Sequence, residues 1–97
     1  MYTNFRSHEL AVELYKLSKG AQIPRHLKDQ LVRASSSVAL NLFEGWGRKS
    51  DKDRMHFFVM AFGSLREVQA IIQLENLTAL DAKADYLAAS LYKLTRG

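Results

Sequence analysis

The sequence has no cysteine, which excludes a disulfide framework, a thiol nucleophile and a cysteine zinc site. It has no uninterrupted apolar run near the ~20 residues of a membrane span. Its opening, "MYTNFRSHEL", lacks the basic-then-apolar layout of a signal peptide, so the expected location is the cytoplasm. His8, His26 and His56 fall on separate segments with no His-x3-His pair, which leaves no metal-ligand spacing. Gly45-Trp46-Gly47 has neither the dinucleotide fingerprint nor the Gly-x4-Gly-Lys of a phosphate loop, and reads as a helix stop. Ser35-Ser36-Ser37 lies mid-helix and resembles no nucleophile elbow. Glu44 has no histidine or second carboxylate near it in sequence, as acid-base work would need. We therefore expect no enzyme, no cofactor and no metal.

Proline and glycine are also scarce, one and five in 97 residues, and their positions divide the chain into four helical segments. A chain of this length makes one domain, residues 1–97, with 47% apolar and 25% charged residues, the composition of an ordered globular fold. Its net charge is +4 with a pI near 9.6, which permits an anionic partner without requiring one.

The spacing predicts helices at about 3–19, 24–46, 51–76 and 79–95. In the first, Leu10, Leu14 and Leu17 form one stripe, and Phe5, His8, Val12 and Tyr15 a second, with His8 facing Tyr15. Gly20 ends it, and Pro24 suits the first turn of the second helix. Ser50 with Asp53, and Thr78 with Asp81, read as capping boxes opening the third and fourth helices. The third would be ~39 Å long. Leu80, Ala84, Leu87, Leu91 and Leu94 give the fourth helix a single narrow seam. The connections are short, which predicts an all-α, up-down antiparallel four-helix bundle.

Two helices carry more apolar surface than one bundle needs. The second has an ordinary core stripe in Leu27, Leu31, Ala34, Val38 and Leu42, yet Ala39, Leu40 and Phe43 point elsewhere. On the third, Met55, Phe58, Phe62, Leu65 and Ile72 make one stripe, and Phe57, Ala61, Ser64, Val68 and Ile71 another. A helix apolar on all sides is a buried helix, and in so small a chain other copies of itself are the expected second burying surface. The candidate interface is Leu40, Phe43, Trp46, Phe57, Ala61, Ser64, Val68 and Ile71. Arg33, Ser37, Asn41 and Glu44 share one side of the second helix and are expected to form a polar seam beside the core.

The segments "DQLVRASSSVALNLFEGWGRKS" and "FFVMAFGSLREVQ" carry Gln30-Leu31, Arg33-Ala34, the Ser35 to Ser37 run, Asn41, Glu44-Gly45, Gly47-Arg48, then Gly63-Ser64-Leu65 and Glu67. In these residues and their spacing the chain resembles the bacterial family of proteins encoded in intervening sequences of 23S ribosomal RNA genes. It departs from the pattern at Leu42 and Phe43, where a smaller pair, often Ile-Ala, is expected. The resemblance implies an up-down bundle assembled as a homo-oligomeric ring, a homopentamer, with no enzymatic activity. Accessory proteins of diversity-generating retroelements are similar in fold and work with a reverse transcriptase and nucleic acid.

Arg48, Lys49, Lys52 and Arg54 surround the start of the third helix, where free N–H groups and the helix dipole also favour a phosphate. A ring would repeat this patch as a collar. The expected function is binding of RNA or DNA through that basic surface, with or without a protein partner. The alternative is a structural or adaptor ring that recruits a protein and touches no nucleic acid.

Overall fold

The computed structural model describes residues 2–96, with side chains from residue 6 onward. Phe5, placed above on the second stripe of the first helix, and the terminal Gly97 lie outside the described side chains. Four helices follow in order: α1 (Tyr2–Lys19), α2 (Arg25–Gly47), α3 (Asp51–Glu75) and α4 (Thr78–Thr95). Helix α1 packs on α2, α2 on α3, α3 on α4, and α4 closes back on α1, while among the described residues the backbones of the diagonal pairs stay apart. That closed circuit with short turns is an up-down four-helix bundle, 40 × 21 × 19 Å in extent.

The turns show why each helix stops where it does. Ser50 Oγ accepts a hydrogen bond from the Asp53 N–H at 3.1 Å, capping α3 as its sequence implied. At the other end Asn76 adopts a left-handed conformation (φ 55°), which asparagine tolerates better than most residues. The N–H of Leu77 then reaches back to the Ile72 carbonyl at 3.0 Å, the six-to-one bond of a Schellman motif. This removes the need for the second capping box. Leu77, not Thr78, is the residue before α4, and it makes no side-chain cap.

The core is built from Leu10 and Leu14 of α1, Leu31, Ala34, Val38 and Leu42 of α2, six residues of α3 and the expected seam of α4. Leu27 and Leu94 are only half-buried. Helix α1 corrects its predicted stripe, because Leu17 is 41% exposed while Ser7, Ala11 and Ser18 are buried. Ser18 Oγ donates to the Leu14 carbonyl at 2.8 Å, so the hydroxyl is satisfied inside its own helix. A small satisfied residue can enter a core that hydropathy alone would deny it.

Helix α3 corrects a larger expectation. Ala61, Val68 and Ile71, assigned above to a subunit interface, are buried within this chain. The reason is geometric, since α3 packs on both α2 and α4 and needs one apolar stripe for each neighbour. Two stripes on one helix are therefore one core arc, and no neighbouring molecule is needed to explain them.

Candidate functional site

The α2–α3 corner gathers most of the residues singled out in the sequence. Gly45 lies inside α2, not at its end, and is buried. A Cβ there would come within 2.6 Å of Phe58 Cε1 and 3.2 Å of Phe57 Cβ, so this glycine allows close approach of the two helices. The helix continues through Trp46 and Gly47. Trp46 is half-buried with its ring 4.7 Å from that of Phe58, and among the described residues its buried Nε1 has no hydrogen-bond partner. Within this chain it packs at the α2–α3 corner.

Gly45→Ala is accordingly expected to destabilise the bundle. Overpacking a filled site costs about 1–3 kcal/mol, against a helix-propensity gain of about 1 kcal/mol, for a net loss of up to about 2 kcal/mol. At Gly47 no atom lies within 4 Å of a new Cβ, and the same substitution there should leave stability unchanged or slightly raised. Chemical denaturation of both variants checks the contrast.

The expected polar seam forms in part and with different partners. Asn41 Nδ2 donates to the Ser37 carbonyl at 2.9 Å and approaches Ser37 Oγ at 3.1 Å. Ser37 Oγ is in turn 2.8 Å from Ser64 Oγ, so the seam crosses to α3 and includes Ser64. Glu44 does not join it, and instead accepts from Arg48 at 3.0 Å. Arg33 is exposed and contributes only its carbonyl, to Ser36.

Among the four basic candidates, two are engaged. Arg48 is paired with Glu44, and its guanidinium stands 4.7 Å from the centre of the Phe57 ring. Arg54 is paired with Asp51 at 2.8 Å. Lys49 and Lys52 are exposed and stand in no ion pair among the described residues. The corner therefore presents two free ammonium groups and two guanidiniums already held by carboxylates, less than the full collar of four.

Of the apolar candidates, Leu40 at 63% and Phe43 at 59% exposed stand in solvent, while Phe57 is half-covered beneath Arg48. His8 packs its ring 3.8 Å from that of Phe43, and this pairing replaces the expected meeting with Tyr15. Residues not singled out in the sequence extend the uncovered surface: Val59, Met60 and Leu74 on α3, and Tyr86 and Tyr92 on α4. The available signal was seven-residue spacing, because Val59 shares a face with Arg66, and Met60 with Glu67 and Leu74. Helix α3 is long and apolar enough to cross a membrane by length and composition, with a window mean hydropathy of 1.3 and only 33% of that window buried. Among the described residues no three histidine, aspartate or glutamate side chains are grouped to hold a metal ion.

The described residues define a small all-α bundle with a glycine-tightened corner and an apolar outer surface left uncovered. The chain belongs to the family of the 23S rRNA-intervening sequence protein, whose family model matches residues 4–96. Comparisons with curated proteins and with solved structures return no match.

Proposed function

We propose that this chain is a non-enzymatic helical-bundle protein that assembles with copies of itself into a ring and binds RNA or DNA through its repeated basic corners. The observation that carries self-association is the exposure of Leu40 and Phe43 side by side on α2. They add to the exposed Val59, Met60 and Leu74 of α3. An apolar surface of that kind on a small bundle marks an interaction site. The ring and its number of five are supported by the family resemblance alone.

The nucleic-acid reading rests on Lys49 and Lys52 at the start of α3, with Arg48 and Arg54 beside them. One copy offers too few phosphate contacts for useful affinity, but a ring multiplies them, and each contact adds to the salt dependence of binding. The pairing of Arg48 with Glu44 and of Arg54 with Asp51 favours a second reading. In that reading the ring is an adaptor for a protein partner and the corner is a solvated turn.

Titration of a fluorescent single-stranded RNA at two salt strengths separates the two. Nucleic-acid binding predicts an affinity that falls steeply with salt and falls at least about tenfold in Lys49→Ala/Lys52→Ala, because every copy then has two fewer cations to set against phosphates. Absence of any salt-dependent binding by the wild-type chain would leave the adaptor reading.

A further inference from the structure

Two grooves of opposite character lie at the end of the bundle remote from the α2–α3 corner. The first, about 540 Å³, runs between the end of α1 and the start of α2 and is lined by Lys19, Arg25, Lys28, Asp29, Val32 and Arg33. It gathers four cations against one carboxylate, Asp29, which pairs with Arg25 at 3.7 Å, so the groove keeps a clear excess of positive charge. The second groove, about 800 Å³, runs between α3 and α4 and contains Asp81 and Asp85 with Arg66 beside them. Gln69 links the groups there, accepting from Arg66 at 3.0 Å and donating to Asp85 at 3.2 Å.

The topology places the two grooves at one level on opposite sides of the molecule. The helices pack in the circuit α1–α2–α3–α4, so the α1–α2 edge and the α3–α4 edge are opposite edges of a square. Toward the other end both edges turn apolar at matching heights. Phe43 lies on the same face of α2 as Asp29, and Leu40 on the same face as Arg33, by fourteen- and seven-residue steps along the helix. On the opposite edge Val59 shares its face of α3 with Arg66, and Tyr92 shares its face of α4 with Asp85. Val59 and Tyr92 are 52% and 51% exposed.

We infer that copies of this chain pack side by side with their axes parallel, the α1–α2 face of one against the α3–α4 face of the next. The inference rests on the self-association proposed above and adds which surfaces meet. Cationic groove then meets anionic groove, and Leu40 and Phe43 meet Val59 and Tyr92. A two-fold contact of either face with itself would place like charges together, which electrostatic complementarity opposes. Unlike faces make a heterologous contact, the kind that closes into a ring when the rotation per step allows. A side of the bundle 40 Å long and 21 Å wide also offers about the 800 Å² per partner of a standard interface.

Charge reversal tests this directly, with helicity by circular dichroism confirming that each variant folds. Arg25→Glu/Lys28→Glu makes both faces anionic, and Asp81→Lys/Asp85→Lys makes both cationic. Each variant alone should associate about a hundredfold more weakly than wild type and sediment toward 11 kDa. Mixed in equal amounts, the two should recover association through contacts between unlike variants, which restore opposite charges across the interface. Retention of the wild-type assembled mass by both folded variants would overturn the facing while leaving self-association intact. A wild-type chain that is monomeric throughout would overturn both.

Discussion

Phe58→Ala will cost the bundle about 3–5 kcal/mol, the usual loss for a buried phenylalanine. Phe58 is 4% exposed and is the side chain on which the α2–α3 corner closes. Its ring faces the bare Cα of Gly45 and lies against the indole of Trp46. Removing it therefore opens a cavity at the point where α2 has no side chain to fill the space, and it leaves one side of Trp46 without a partner. Domains of this kind have about 5–15 kcal/mol of stability in total, so the variant should unfold at much lower denaturant and should show a shifted tryptophan emission even when folded. The pair is coupled, because the clash predicted for Gly45→Ala is with this same ring. Phe58→Leu should destabilise the wild-type chain but recover part of the loss caused by Gly45→Ala. Additive denaturation midpoints in that double-mutant cycle would contradict direct packing between the two positions.

Leu40→Asp/Phe43→Asp will leave the helical fold in place and abolish self-association. Both side chains stand more than half in solvent, so replacing them removes little from the core of the single chain, where surface changes are usually worth within about 0.5 kcal/mol. Inside the chain the substitution gives up the packing of Phe43 against His8. At an interface the same positions would be buried, and truncating a central apolar anchor there costs about 2 kcal/mol or more. Two such losses, together with two carboxylates placed in an apolar contact, should weaken association more than about a thousandfold. Circular dichroism should be unchanged while sedimentation shifts to the monomer. An assembled mass equal to that of wild type would mean that these residues are scattered surface apolars.

The number, order and limits of the helices were legible because turn chemistry is local. Ser50, Gly20 and Pro24 marked boundaries from their own conformational preferences, and the structure moves each helix end by no more than a residue or two. The α4 seam was legible for a related reason, since its leucines repeat on one narrow line and leave a single solution. Thr78 misled because its capping signature is as local as that of Ser50, yet the Schellman bond at Leu77 already closes the turn. What the pattern could not resolve was direction. Ala61, Val68 and Ile71 look equally apolar whether they face α2 or a neighbouring molecule, and only the packing circuit decides. Gly45 posed the opposite difficulty, because a glycine before a polar turn reads as a stop until Phe58 is placed against it. The ion pairs of Arg48 and Arg54 were within reach, as both partners sit three or four residues away along the helix.

Helices α2 and α3 are, on this reading, covered twice, once inside the bundle and once by other copies of the chain. Light scattering across a range of protein concentrations and at two salt strengths measures that second covering without any substitution. At low salt the mass should hold at a fixed multiple of 11 kDa, near five, across concentrations, and at high salt it should fall at the lower concentrations as salt screens the charged grooves. A single 11 kDa species at every concentration and salt strength would contradict it.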